Sequence, residues 1–154
     1  MKRVAVAVHK RRARNRSLLG TWKLKSFTTE YLDNGEIVQP YGTRPAGYLS
    51  YGSDGRMYAI VASEHRKAPA GIVPTNAEKM ALFDGFAAYS GTYTTDGDKV
   101  RHHVDVSWNE AWTGTTQLRE FRIMGRRLKI RSMPAKDPLD GRLSSSTAVW
   151  TKVA

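Results

Sequence analysis

The stretch VRHHVDVSWNEAWTGTTQLREFRIM, residues 100–124, decides how the chain is read. Period-two alternation puts Val100, His102, Val104, Val106 and Trp108 on one face of a strand and Arg101, His103, Asp105 and Ser107 on the other. In a second alternating run Leu118, Glu120 and Arg122 point outward, while Gln117, Arg119, Phe121 and Ile123 share the side of the valines. An inner wall with a histidine, a glutamine and an arginine must satisfy each of them, because burying such a group unpaired costs about 1–3 kcal/mol or more. The pattern predicts a cavity whose polar groups address a ligand.

Short alternating runs bounded by turn residues continue on both sides, as in an antiparallel β-protein. Strands are expected over residues 22–31, 36–39, 47–51 and 56–62, with Asp33-Asn34-Gly35 and Ser53-Asp54-Gly55 as turns. Residues 63–74 contain two prolines and no periodicity and read as a loop. Thr75 and Glu78 have capping-box spacing, so a helix of about ten residues should follow and end near Gly85, with Met80, Phe83 and Phe86 as its apolar side. Strands resume over 88–95, where Tyr89, Gly91 and Tyr93 share a face, then at Val100, Gly114 and over 128–132. Residues 134–145 read as a loop before a terminal strand over 148–153. About nine strands with one helix leave two sheet edges to protect, and pairing the last strand with the first removes both. The expected fold is all-β, an antiparallel barrel of eight to ten strands with one short helix; barrels of this size hold a filled core or one small ligand.

The 154 residues suit a single domain with a real core. The net charge of +11 is uneven: residues 1–16 hold 7 of the 25 lysines and arginines and no acid. That block reads as a disordered basic extension, and residues 17–154 as the domain. Val4 to Val8 is too short a run for a secretory signal, and no stretch of about 18 apolar residues exists to span a membrane. The absence of cysteine excludes disulfides and thiolate chemistry and favours a cytoplasmic location. Binding to nucleic acid would rest on the tail alone, because the strands lack a stacking platform of exposed aromatic and basic residues. Oligomeric state is not readable.

No metal site is expected, since the adjacent His102 and His103 point to opposite faces of a strand, and no phosphate-cradling loop or nucleophile elbow is present. His102, facing inward, is the candidate acid or base. Arg119 is the candidate electrostatic stabiliser; with Gln117 it suits holding an enol, carboxylate or ketone while charge develops on oxygen. The competing reading of Arg119 is a structural contact with Glu110, Asp84 or a loop carbonyl at the mouth. Tyr51, Tyr89 and Tyr93 offer positioning hydroxyls, Met57 offers apolar contact, and Trp108 and Trp112 should form a flat aromatic surface at the rim.

Several of these segments also carry a resemblance. Leu18-Leu19-Gly20-Thr21-Trp22-Lys23-Leu24, Gly47-Tyr48-Leu49-Ser50-Tyr51 followed by Asp54-Gly55-Arg56-Met57, Tyr89-Ser90-Gly91-Thr92-Tyr93, His102-His103-Val104 and Trp112-Thr113-Gly114-Thr115-Thr116-Gln117 occur in the order found in the bacterial and fungal lipocalin-like domain family. Gly20-x-Trp22 resembles the lipocalin signature whose indole plugs one barrel end beneath an arginine; here the last strand offers Trp150 and Lys152 instead. The resemblance implies a calycin-type barrel that binds a small, largely hydrophobic molecule. Together with the polar inner wall it leads to the expectation of a cyclase or isomerase of natural-product biosynthesis working without a cofactor, the alternative being a carrier or sensor that does no chemistry.

Overall fold

The computed structural model describes residues 16–137 and 140–153. The basic extension up to residue 15, and Pro138 in the loop before the last strand, lie outside the described residues.

After a helical turn at residues 16–18, the described residues form ten strands and one longer α-helix in order: β1 (Gly20–Tyr31), β2 (Ile37–Val38), β3 (Ala46–Tyr51), β4 (Arg56–Ala62), α1 (Asn76–Asp84), β5 (Phe86–Asp96), β6 (Lys99–Ser107), β7 (Thr116–Met124), β8 (Arg127–Ser132), β9 (Ala135–Lys136) and β10 (Leu143–Lys152). Antiparallel pairing runs β1-β3-β4-β5-β6-β7-β8-β10 and returns from β10 to β1, with β2 and β9 added outside the ring. Closure is extensive, from Trp22 opposite Lys152 to Tyr31 opposite Ser144, with one irregularity between Leu24 and Ser26. It leaves no long edge exposed, which is the expected closed barrel.

One end, the floor, is where β1 starts and β10 finishes. Trp22 is buried there, and its indole N–H donates to the Leu18 carbonyl over 2.8 Å. The Lys152 ammonium lies 4.5 Å from the centre of the Trp22 ring and donates to the Leu19 carbonyl. A lysine thus covers the plug where the signature has arginine, and one cation over an indole face suffices for the geometry. Leu18, Leu24, Leu49, Met57, Val100 and Leu128 fill the space above, so the floor half is solid hydrocarbon.

The mouth half is shaped by a β-bulge. On β5 and β6, Gly91 faces Val104 but Ser90 faces Val106, so Asp105 is the extra residue. From there β6 reverses its facing. Val100, His102 and Val104 are buried as expected, but Val106 is 65% exposed, a correction to the unbroken alternation read from the sequence. On the outer surface Arg56 clamps the bulge with bonds of 2.5 and 3.1 Å to the Asp105 carboxylate, and Ser90 adds a third at 3.1 Å. On the inner side only glycine fits at position 91, because a Cβ there would meet the His103 carbonyl oxygen at 1.9 Å.

The helix is capped as expected: Glu78 N–H donates to the Thr75 hydroxyl, and the Glu78 carboxylate accepts from Thr75 N–H. Its apolar side is not a packed face, however. Met80 and Phe83 are exposed, with Phe83 resting only loosely on the Trp108 ring at 6.2 Å between centres. Strand β10 starts five residues before the expected terminal strand, and β9 lies within the expected loop. Ser144 to Ser146 carry little strand propensity, yet pairing with both β1 and β8 overrides it. Ser145 Oγ donates to the Ser132 carbonyl at 2.7 Å, tying this segment down.

Replacing Trp22 by alanine should lower unfolding stability by about 3–5 kcal/mol, measured by urea denaturation, whereas Lys152→Met should cost about 1 kcal/mol, the worth of one partly exposed cation–π contact. Gly91→Ala should cost about 2–3 kcal/mol as an overpacked backbone contact, a far larger effect than the same change at Gly71, where an added Cβ meets nothing within 4 Å and the backbone is not left-handed.

Candidate functional site

Above the floor the barrel encloses a cavity of about 170 Å³. Its wall mixes apolar and aromatic side chains, among them Phe27, Leu49, Val61, Ile130 and Trp150, with the polar side chains of Thr29, Tyr89, His102, Gln117 and Arg119; Lys136 and Asp137 stand among its loop residues. The volume is below the usual range of about 300–1,000 Å³ for drug-sized ligands, so it suits a compact molecule or the inner part of a longer one.

His102 sits at the base of this space and is almost completely buried. Register explains why polar groups collect around it: His102 is opposite Gln117 on β7 and Tyr93 on β5, and Val100 is opposite Arg119. The imidazole Nε2 is 2.7 Å from the Tyr51 hydroxyl and Nδ1 is 2.8 Å from the Tyr89 hydroxyl. Burial, helped by the charge of Arg119 and by His103, lowers the histidine pKa from 6.5 to about 3. The ring is therefore neutral at neutral pH, with one nitrogen donating and the other accepting. Burial also raises the hydroxyls of Tyr51 and Tyr89, so both phenols keep their protons.

Burial of Tyr51 favours one tautomer: with Nε2 as the neighbour of its hydroxyl beneath the cavity, its proton is best placed on Nε2. In that tautomer Nδ1–H donates to the Tyr89 oxygen, which the Arg119 guanidinium also bonds, and the Tyr89 O–H is turned toward the cavity its side chain lines. This arrangement makes His102 a group that positions and polarises Tyr89. Both of its nitrogens are engaged and its pKa is far below neutrality, which disfavours direct proton shuttling to a ligand.

Arg119 lines the same cavity. Its guanidinium donates to the Leu118 carbonyl at 3.3 Å and lies 5.9 Å from the centre of the Trp112 ring. Among the described residues it forms no ion pair with Glu110 or Asp84; of the expected structural contacts only a carbonyl is met, and it is that of Leu118 within the strand and not one of a loop. Gln117 also lines the wall, and its amide N–H donates to the Thr115 hydroxyl at 2.8 Å.

The other expected site residues divide by depth. Tyr89, Trp108 and Trp112 join His102, Gln117 and Arg119 at the cavity, whereas Tyr51, Met57 and Tyr93 lie in the packed core and do not line it. Tyr93 donates to the Gly52 carbonyl at 2.9 Å and stacks edge-on against Tyr51. Parity along a strand tells inward from outward but says nothing of height, and these three belong to the floor. Trp108 and Trp112 do not make a flat platform. The 3-10 turn Glu110–Trp112 folds them edge to face, with centres 5.2 Å apart at 75°, and Trp112 continues onto Tyr89 at 5.4 Å.

Sequence reasoning missed Trp150, Thr29, Ser146 and Tyr41 in the wall. Trp150 alternates with Ala148 on β10, a signal that was available; the serines and Tyr41 depend on closure and on the loop after β2, which no local pattern announces. On the outer face, His103 bonds the Thr94 and Thr116 hydroxyls and Asp105 is held by Arg56. Among the described residues no group of three or more histidine, cysteine or acidic side chains is placed to hold a metal. No helix of the described residues is long and apolar enough to cross a membrane.

The chain is similar to a lipocalin-like protein from Bacteroides uniformis, at 14% identity and a TM-score of 0.47 over 88% of this chain and 98% of that one. It is also similar to an uncharacterized protein from Bacteroides eggerthii, at 12% identity and a TM-score of 0.43 over 88% and 99% of the two chains. No curated protein matches. The family model of the lipocalin-like domain matches residues 19–153, nearly the whole described barrel. The chain belongs to the lipocalin-like domain family.

Proposed function

We propose that this barrel binds a small, largely apolar molecule in the cavity of its mouth half. The observation that carries the reading is the division of the interior: a packed floor at Trp22 and Lys152, and above it a partly open cavity with aromatic walls and a few polar groups. Membership of the lipocalin-like family supports the same ligand class. Burying an apolar ligand there removes its surface from water at about 25 cal/mol per Å², which is the driving force. Tyr89 and Arg119 supply orientation.

A catalytic role, as a cyclase or isomerase of natural-product biosynthesis acting without a cofactor, is the second reading. Its support is that Tyr89 O–H and the Arg119 guanidinium open on one cavity, where donors of this kind can steady an oxygen as negative charge develops on it. Restricting a flexible substrate in so small a volume would supply much of the remaining rate. A cytoplasmic location fits either reading.

Native mass spectrometry of the freshly purified full chain should reveal a co-purifying compound of low mass that is lost on denaturation; a protein without any bound or bindable apolar compound contradicts the binding reading. Incubating the recovered compound or its precursors with the protein separates the two readings. An enzyme should return an isomer, and Arg119→Met should slow that turnover by about 100-fold while the barrel stays folded, whereas a carrier should change affinity only.

The buried imidazole also sets a pH dependence. The unfolded chain takes up the His102 proton below pH 6.5, while the folded chain resists it down to about pH 3. Stability from this group is therefore complete above pH 6.5 and is lost on acidification across that window, at about 1.4 kcal/mol per pH unit. Urea denaturation between pH 7 and pH 4 should show the stability gap between the native protein and His102→Gln shrinking as the pH falls; a gap independent of pH would mean that the imidazole takes up its proton as readily in the folded chain as in the unfolded one.

A further inference from the structure

Resting on the cavity as the ligand site, we propose that its occupant is an apolar molecule ending in a carboxylate, with Arg119 as the countercharge and Tyr89 as the adjoining hydrogen-bond donor. The inventory of the wall points to this chemistry. Arg119 carries a permanent positive charge, lines the cavity and forms no ion pair among the described residues. Arg119 is partly buried, and a guanidinium partly withdrawn from water without a countercharge gains from an anion brought by the ligand.

The neutral donors tell the same story. Trp150 is 4% exposed and lines the cavity, yet its buried indole N–H has no partner, and the same is true of the Trp108 indole N–H at the mouth. Buried donors without acceptors are rare and call for an explanation. Tyr89, bonded by Arg119, adds its O–H in the tautomer of His102 that the buried Tyr51 favours. The acceptors are neutral or lie at the loops: the Thr29 and Ser146 hydroxyls face each other at 2.9 Å, Ser132 Oγ accepts from the Ser146 N–H, the Gln117 amide oxygen and the Tyr41 and Ser144 hydroxyls carry no charge, and the single carboxylate of the lining, Asp137, lies in the loop beside Lys136. The wall has spare donors and a spare positive charge. A carboxylate has no proton to donate at neutral pH, accepts at both oxygens and cancels the charge. An amine would meet the guanidinium with like charge, and an alcohol would leave that charge unanswered.

The test uses the full chain and three ligands of equal length, octanoate, octanol and octylamine, titrated at neutral pH by calorimetry or by tryptophan fluorescence. Octanoate should bind about tenfold or more tightly than octanol, and octylamine most weakly. Arg119→Met should bring octanoate down to about the affinity of octanol, with a much larger loss for octanoate than for octanol, Arg119→Lys should keep part of the preference, and Tyr89→Phe should weaken octanoate more than octanol. Circular dichroism melts establish that each variant is folded, and the lysine and phenylalanine variants decide the matter if the methionine variant is not. Equal binding of octanol and octanoate, or a preference that survives loss of the guanidinium, overturns the carboxylate assignment and leaves the binding site standing. Failure of all three ligands to bind overturns both.

Discussion

An imidazole withdrawn from water, with a phenol on each nitrogen, is the constraint on which the interior depends. At 2.7 and 2.8 Å the two contacts satisfy both of its hydrogen-bonding atoms. A neutral histidine can meet that demand only by donating through one nitrogen and accepting through the other, so it links two hydroxyls that would otherwise each need their own partner. The link crosses from β3, through β6, to β5, and thereby joins the solid floor to the wall of the cavity. Tyr51 is core and Tyr89 is wall; His102 is the boundary between them. An apolar residue of similar size would leave both phenols unsatisfied, each at about 1–3 kcal/mol.

The bulge at Asp105 explains why there is a cavity above that boundary. Had β6 kept its alternation with no bulge, Val106 would point inward beyond Val104 and add hydrocarbon to the mouth. With it, Val106 turns to the outside and the end of the strand hands over to the 3-10 turn that carries Trp112. The outward clamp of Arg56 and Asp105 and the inward requirement for glycine at 91 hold the same irregularity from two sides. Bulges re-aim side chains near binding sites in many sheets, and here the consequence is a change from packing to lining within three residues.

Much of this was legible in the sequence, and the parts that were not have a common cause. The inward facing of His102, Gln117 and Arg119 followed from alternation on two neighbouring strands, and the capping box set the helix start at Thr75. The barrel followed from strand count and the need to remove edges, which composition alone would not have given. The reversal at Val106 was hidden because a bulge is defined by the partner strand, so no run of residues on β6 displays it. The serine-rich half of β10 has the local pattern of a loop because its strand character comes from two neighbours and not from its own side chains. Height in the barrel was invisible for the same reason: Tyr51, Met57 and Tyr93 have the correct facing for the interior, but only register with Gly20, Gly91 and His102 puts them on the floor.

The rings from mouth to floor form one contact series, Phe83 to Trp108 to Trp112 to Tyr89 to His102 to Tyr51 to Tyr93, with successive centres 4.7 to 6.2 Å apart. Its two ends differ in kind. At the floor the rings are packed and immobile partners of the core, while at the mouth Phe83 is half exposed and belongs to a helix with no buried residue. The helix is held by its ends and its neighbours in the loop, through the capping box, the Arg66 bond to the Leu82 carbonyl and the Ala70 N–H bond to Glu78, and not by a buried face. Order along this one line of side chains therefore has two sources: hydrogen-bonded loop contacts at the Phe83 end, and burial with fully satisfied nitrogens at His102. The rings between them, Trp108 and Trp112, belong to the cavity wall, where packing gives way to lining.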